Sequence, residues 1–98
     1  MKTFLETPHF SHWLVKLKDL KGRMAIVRRL ERAQSGHFGD TKPVGESVFE
    51  MRVDVGPGYR VYYTLRGEEV VILLVGGDKD TQERDIAKAK VIAKEYQS

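Results

Sequence analysis

The sequence predicts an α+β fold in which an N-terminal strand and a hairpin of two helices pack on a small, mainly antiparallel sheet, followed by a C-terminal helix. Apolar residues recur with the period of a helix in the N-terminal third and near the C-terminus, and alternate with the period of a strand in between. At 98 residues the chain has the length of one domain, residues 1–98, built on one core.

The N-terminal third is predicted to form a weak strand over residues 2–6 and then two helices. The pair Thr7-Pro8 is typical of a helix N-cap followed by proline at the first helical position. The first helix is expected to reach about Asp19, the pair Lys21-Gly22 interrupts its pattern, and the second helix ends near Gln34. Because the connection is short, we expect an antiparallel helix hairpin.

Three strands are predicted in the middle of the chain. Residues 49–55 alternate between apolar and charged side chains, which indicates a half-exposed strand. A Gly-Pro-Gly turn at 56–58 joins it to a second alternating strand at 59–65. Residues 70–75 are apolar throughout, as expected of a central strand.

The C-terminal helix is predicted from its first turn and its apolar spacing. Asp80 and Glu83 have the spacing of a capping box. Ile86, Ala89, Ala93 and Tyr96 then give the helix a modest apolar face.

The charge of the chain is mildly basic and unevenly distributed. Seventeen Lys and Arg against fourteen Asp and Glu give a net charge of +3, and the excess lies in residues 1–36. Arg28 and Arg32 fit the solvent side of the second helix, while Trp13 and Tyr63 fit core positions better than base-stacking positions. This balance alone does not establish binding to nucleic acid.

Several classes of protein do not fit the sequence. The longest aliphatic run, residues 70–75, is far shorter than the ~20 residues that cross a bilayer, and the N-terminus does not resemble a signal peptide. We therefore expect a cytoplasmic protein with no membrane partner. The chain has no cysteine, its three histidines have no metal-site spacing, and its glycines do not form a phosphate loop. We expect neither a metal nor a cofactor.

Polar side chains on the predicted strands are the candidates for chemistry. Glu50 and Arg52 share one face of their strand, Arg60 and Tyr62 share one face of the next, and Lys79 follows the third. Strand pairing can bring Arg52 and Arg60 to the same side. Cations that share an exposed face suit an anionic ligand such as RNA phosphate, and an outward Tyr62 is a candidate for contacting a base.

Each cation also has a simpler interpretation. Arg52 can form an ion pair with Glu50 or Asp54 that contributes little. Arg60 can be a solvated strand residue, and the acids on either side of Lys79 can compensate its charge at a helix start. The residues alone leave both interpretations open.

Taken together, the ordered segments resemble the RelE/ParE toxin superfamily, and more narrowly the phage-related addiction-module killer proteins close to HigB. The segments that carry the resemblance are Phe-Glu-Met-Arg at 49–52, Gly-Tyr-Arg-Val-Tyr-Tyr at 58–63, the aliphatic run at 71–75, and Gly-Gly-Asp-Lys-Asp-Thr-Gln at 76–82. The resemblance also includes Trp13-Leu14 and residues 36–45, so it spans nearly the whole chain.

The resemblance implies a toxin of a type II toxin–antitoxin module, with a helix hairpin on a curved antiparallel sheet and a cognate antitoxin that neutralises it. Many such toxins enter the ribosome and cut mRNA without a metal, using basic side chains on the sheet. The 2′-hydroxyl attacks the adjacent phosphorus while cations stabilise the phosphorane and an acid protonates the leaving 5′-oxygen. Partners implied are the antitoxin, the ribosome and mRNA.

The resemblance also assigns roles to individual residues. Arg60 matches the phosphate-stabilising arginine, Arg52 matches a basic position on the preceding strand, and Lys79 matches a position for the acid or a phosphate ligand. Glu50 stands where well-known ribonuclease members have lysine, so it either acts as the base or holds Arg52 in place. A tyrosine that some members carry near the C-terminus is replaced by Ile86.

Two function classes follow from the resemblance. In the first, Arg52, Arg60 and Lys79 converge on mRNA, with further RNA contacts expected at the following residues: Tyr62, Lys42, Arg28 and Arg32. In the second, the chain acts like ParE-type toxins, which inhibit DNA gyrase by binding it. The three retained cations favour the ribonuclease, and an inactive relative that still binds antitoxin is a third reading. We expect the antitoxin to cover the sheet or the helix hairpin.

Overall fold

A computed structural model describes residues 2–96 of the chain. The strands are β1 (Thr3–Glu6), β2 (Thr41–Gly45), β3 (Val48–Val53), β4 (Tyr59–Arg66) and β5 (Val70–Asp78). The helices are α1 (Pro8–Lys16), α2 (Leu20–Gln34) and α3 (Gln82–Tyr96), and a 3-10 turn over Lys79–Thr81 precedes α3. The α+β class, the N-terminal strand and the C-terminal helix are therefore confirmed.

The five strands form one mixed sheet in the order β1-β5-β4-β3-β2. Strand β1 is parallel to β5, and the remaining neighbours are antiparallel. Strand β2 is not among the predicted elements because Pro43 breaks its pattern and the register shifts between Pro43 and Gly45. The mainly antiparallel sheet is confirmed, with one parallel pair added at its edge.

The boundary between the first two helices lies earlier than predicted. Helix α1 ends at Lys16, and Asp19 caps α2 by accepting a hydrogen bond from the Gly22 backbone N–H at 3.1 Å. Gly22 lies inside α2, where a Cβ atom would overlap the Tyr59 ring, so this glycine serves packing and not termination. The hydrogen bond from Tyr59 is the main reason that the pKa of Asp19 lies below its ordinary value.

One side of the sheet, called the α1–α2 face below, is closed by the first two helices. Its core consists of apolar and aromatic side chains, including Phe10, Ile26, Met51, Val61 and Tyr63. Trp13 packs against this core, so the core positions predicted for Trp13 and Tyr63 are confirmed.

The other side, called the α3 face below, is covered by the C-terminal helix. Val48, Tyr62, Ile72 and Leu74 pack there against apolar residues of α3. Glu50 lies on this face and is completely buried, so the prediction that the β3 strand is half-exposed is wrong at this position. The alternation of side chains predicted the correct face for Glu50. Glu50 is buried because helix α3 covers that face.

The capping residues of the C-terminal helix differ from those predicted. Asp78 and Thr81, and not Asp80 and Glu83, form the capping box, with the Asp78 carboxylate accepting from the Asp80 N–H at 2.9 Å. The 3-10 turn therefore begins directly at the end of β5. Within residues 2–96, no helix is long and apolar enough to cross a membrane.

Candidate functional site

Sheet pairing brings the predicted cations to one end of the α3 face. Arg52 and Arg60 are direct cross-strand partners, and Arg60 pairs with Gly77 on its other side. The Lys79 backbone N–H donates to the Gly58 carbonyl at 2.9 Å, which fixes the start of the 3-10 turn beside the β3–β4 turn. The fold therefore brings the backbones of these three residues to one end of the sheet.

Arg60 is a buried guanidinium with unused hydrogen-bonding capacity. Its side chain is on the α3 face, and the residue is 8% exposed. Nη1 donates to the Tyr59 carbonyl at 3.0 Å and lies 3.7 Å from a carboxylate oxygen of the exposed Asp54. Among residues 2–96, no acceptor meets the buried Nε. A buried donor without a partner costs about 1–3 kcal/mol, so holding Arg60 in this position reduces the stability of the chain.

The side chains of Lys79 and Arg60 both lie next to Gly58. A Cβ atom at Gly58 would lie 3.5 Å from Lys79 Cδ and 3.6 Å from Arg60 Nη1. Gly58 has a φ of +83°, a conformation that glycine adopts without strain. Lys79 itself is exposed, so its ammonium group is free to reach a ligand bound next to Arg60. A Cβ at Gly58 would make ordinary van der Waals contact with both side chains, so the backbone conformation, and not space, is what favours glycine here.

Glu50 is the centre of a buried hydrogen-bond network. Its carboxylate accepts hydrogen bonds from Arg52 Nε at 3.1 Å, the Tyr62 hydroxyl at 3.1 Å and Gln82 Nε2 at 2.5 Å. Burial alone raises the pKa of Glu50, but the three donors outweigh burial, and the pKa lies below its ordinary value. Glu50 is therefore an ionised acceptor that three side chains hold in place.

Arg52 is held by the hydrogen bond of its side chain to Glu50 and by hydrogen bonds of its backbone. The side chain is 33% exposed, so the guanidinium edge that does not face Glu50 is open to solvent. The hydrogen bond to Glu50 is the main reason that the pKa of Arg52 is raised above its ordinary value. Its backbone N–H donates to the Asp40 carbonyl at 2.9 Å, and its carbonyl accepts from Arg29 at 2.5 Å.

The structure contradicts the expectation that Tyr62 contacts a base. The side chain lies on the predicted face but is completely buried under α3, with its hydroxyl on Glu50. Burial, followed by the negative charge of Glu50, raises the pKa of the Tyr62 hydroxyl. Tyr62 therefore supports Glu50 and presents no ring surface to a ligand.

The other three residues predicted to bind RNA are exposed but differ in position. Lys42 on edge strand β2 is the cross-strand partner of Glu50, so it lies on the α3 face near Arg52. Arg28 and Arg32 lie on α2, which covers the opposite face of the sheet. The structure places Lys42 beside the three cations, whereas Arg28 and Arg32 line a different opening, next to Asp54, whose carboxylate lies 3.7 Å from Arg60 Nη1.

Two residues of α3 that contact the site or its strands were not predicted from the sequence. Gln82 reaches Glu50 over 32 residues of chain, and its residue type carries no signal for such a role. Asp85 is buried, accepts a hydrogen bond from Thr81 at 2.5 Å, and packs so closely on Gly77 that a Cβ there would overlap its carboxylate. The pair Gly76-Gly77 is the signal that could have indicated a close approach.

The comparisons with known proteins place the chain in a family. Residues 12–97 match the family described as phage-derived Gp49-like proteins (DUF891). The chain belongs to this Gp49-like family. The family is one of RelE-like toxins from toxin–antitoxin systems. An uncharacterized protein of Haemophilus influenzae is 50% identical over 86 residues, which cover 88% of this chain and 87% of the relative.

Proposed function

We propose that this Gp49-like chain is a HigB-like toxin of a type II toxin–antitoxin module. In this proposal it is a ribosome-dependent, metal-independent endoribonuclease that cuts mRNA, arrests translation and is neutralised by a cognate antitoxin. Family membership supports the toxin class. The observation that carries the enzymatic part is the placement of Arg60 between its cross-strand partner Arg52 and the exposed Lys79 at one end of the α3 face.

The proposed chemistry uses the ribose 2′-hydroxyl as the nucleophile. Its oxygen forms a bond to the adjacent phosphorus as its proton passes to solvent water, and the bond from phosphorus to the 5′-oxygen breaks as that oxygen takes up a proton. The products are a 2′,3′-cyclic phosphate and a fragment with a 5′-hydroxyl. The transient phosphorane carries more negative charge than the substrate, so positioned guanidinium groups stabilise it selectively.

The geometry suggests how the residues divide this work. Arg60 donates to the phosphate, with Arg52 on the neighbouring strand as a second donor. Lys79 is the exposed cation beside Arg60 and supplies the proton to the leaving 5′-oxygen or binds the phosphate. Glu50 holds Arg52 in place, because an acceptor with three donors and a lowered pKa is poorly suited to remove a proton.

The test compares two arginines of the same strand. Wild type, Arg60→Gln and Arg66→Gln are induced in a bacterial host, and mRNA 5′ ends are mapped with translation running or blocked. Arg66 is exposed at the far end of β4, so Arg66→Gln makes the same chemical change away from the site. We expect new ends with wild type and Arg66→Gln, and about a hundredfold fewer with Arg60→Gln.

Two further readouts keep the test independent of folding. Lys79→Gln changes an exposed residue, so it reports on the site without removing a buried group. The downstream fragments are expected to carry 5′-hydroxyl ends, which require phosphorylation before adapter ligation. Growth arrest without translation-dependent ends, or ends that persist in Arg60→Gln, would contradict the proposal, and the first result would direct attention to gyrase supercoiling assays.

A further inference from the structure

The two oxygens of the buried Glu50 carboxylate have different hydrogen-bond partners. Oε2 accepts from Gln82 Nε2 at 2.5 Å and from the Tyr62 hydroxyl at 3.1 Å, while Oε1 accepts from Arg52 Nε at 3.1 Å. Because the carboxylate is planar, the donors that fix Oε2 also fix the direction in which Oε1 points. Gln82 and Tyr62 therefore determine where Glu50 presents its acceptor to Arg52.

Gln82 makes the shorter of the two hydrogen bonds to Oε2. Burial raises the pKa of Glu50, and among the three donors that oppose burial Gln82 lowers this pKa most. The amide of Gln82 carries no charge, so it fixes the carboxylate without neutralising it. The full negative charge of Glu50 therefore remains opposite the Arg52 guanidinium, and the bond between them is a charge-assisted hydrogen bond.

Gln82 is the first residue of α3, and the start of this helix is anchored on the sheet. Thr81 donates a hydrogen bond to the buried Asp85 carboxylate at 2.5 Å, and that carboxylate lies against the backbone of Gly77 in β5. Lys79 lies in the 3-10 turn that directly precedes Gln82. The anchored segment therefore carries both the exposed cation of the site and the amide that fixes the buried carboxylate.

We propose that Gln82 is a positioning residue that acts on Arg52 through Glu50. The inference rests on the proposed function, in which Arg52 donates to the phosphate. Glu50 binds the Nε–H edge of the Arg52 guanidinium, and the other edge is open to solvent. With Gln82 in place, this open edge has one direction. Without Gln82, the carboxylate can rotate and the guanidinium moves with it, so the docking of α3 sets the orientation of Arg52.

The orientation of Arg52 is measured by NMR on ¹⁵N-labelled protein, without any RNA. The Arg52 Nε–H signal is identified by its loss in Arg52→Gln, and in wild type it should exchange slowly with water. Gln82→Met keeps the length of the side chain and removes the donor, so this exchange should become about fivefold faster. Gln34→Met makes the same change at a half-buried position of α2 and should leave the exchange rate unchanged.

The effect on cleavage is measured with a double-mutant cycle. Gln82→Met should lower the maximal rate of single-turnover mRNA cleavage on ribosomes about tenfold, because Arg52 stabilises the transition state. The protein concentration that gives half the maximal rate should stay within twofold of wild type. In Arg52→Gln the same substitution at Gln82 should have no further effect, since it acts through Arg52. A residue with a merely structural role would lower the rate equally in both backgrounds.

The outcomes separate this inference from the proposed function. Absence of cleavage by wild type would contradict the proposed function, and the NMR comparison would still decide whether Gln82 orients Arg52. An unchanged Nε–H exchange rate in Gln82→Met, or an equal loss of cleavage with and without Arg52, would overturn the positioning role. Backbone amide signals show whether each variant is folded. Gln82→Glu, which replaces the donor by an acceptor of the same size, takes the place of Gln82→Met if that variant does not fold.

Discussion

The two faces of the sheet are buried in different ways. The α1–α2 face is closed by apolar and aromatic side chains, with Phe10 and Ile26 fully buried. The α3 face combines an apolar part with Glu50, Arg60 and Asp85, all of them buried. Apolar burial stabilises in proportion to area, whereas a buried charge destabilises unless it is paired. The α1–α2 face therefore stabilises the fold through apolar burial. On the α3 face, the cost of burying charged groups offsets part of the stabilisation.

The buried charged residues of the α3 face also differ from one another, since Glu50 is fully hydrogen-bonded and Arg60 is not. Glu50 has three donors, while Arg60 Nε meets no acceptor in residues 2–96. A fully satisfied buried network is rigid, and an unpaired buried donor costs stability. Glu50 therefore holds its neighbours in place, whereas Arg60 is retained in spite of its cost.

The largest effect is expected on the apolar face. Phe10→Ala should lower the free energy of unfolding by about 4 kcal/mol, because a fully buried ring is removed from a packed core. Urea denaturation measures the change, with Val15→Ala as the control, since Val15 on the same helix is 73% exposed. The control should stay within about 0.5 kcal/mol of wild type. Equal losses in both variants would show that this face is not the main source of stability.

A smaller loss is expected from the centre of the polar face. Glu50→Ala should cost about 2 to 3 kcal/mol, because the Tyr62 and Gln82 donors lose their acceptor in a buried position. Glu46→Ala is the matched control. The Glu46 carboxylate lies 3.7 Å from the Lys90 ammonium nitrogen but is exposed, so this substitution should change the free energy of unfolding by less than about 1 kcal/mol. A Glu50 variant as stable as the control would contradict the network.

Two adjacent tyrosines compare the faces directly. Tyr62→Phe removes a hydroxyl that donates to a buried carboxylate, and Tyr63→Phe removes one that pairs with the Thr41 hydroxyl on the other face. Bonds to charged groups contribute more, so we expect losses of about 2 and about 1 kcal/mol respectively in thermal or urea unfolding. The reverse order would mean that Glu50 gains little from Tyr62.

The smallest effect is a pH dependence that belongs to the polar face. Because the pKa of Glu50 is lowered in the folded chain, its ionised form stabilises the fold above the ordinary value of 4.5. That contribution is lost as the pH falls through the lower folded pKa. The stability difference between wild type and Glu50→Gln should therefore be complete at pH 7 and shrink below pH 4.5. A stability difference between wild type and Glu50→Gln that stays constant from pH 7 to pH 3 would contradict the lowered pKa of Glu50.

The apolar face could be predicted from the sequence because periodicity reports on it directly. The stripe that includes Phe10 and Trp13, and the alternation that includes Met51, Val61 and Tyr63, each specify which side chains turn inward. The pairing of Arg52 with Arg60 also followed from the turn between their strands. These features depend on local pattern, which one sequence contains.

The polar face could be predicted only in part, because alternation assigns a face and does not show what covers it. Glu50 and Tyr62 were placed on the correct side, but their burial depends on where α3 docks. Gln82 becomes important only through that docking, which joins positions 32 residues apart. Arg28 and Arg32 were grouped with the site by charge alone, and charge carries no information about which face a helix covers.

The parallel pairing of β1 with β5 has a consequence for how the protein is made. Thr3 pairs with Val70, a separation of 67 residues, and such high contact order slows folding because distant segments must meet first. Because synthesis proceeds from the N-terminus, β1 cannot pair until β5 has been made, and Glu50 cannot bind Gln82 until the start of α3 has been made. A nascent or prematurely terminated chain therefore lacks the assembled charged face, and the protein acquires its finished site only when almost all of it has been translated.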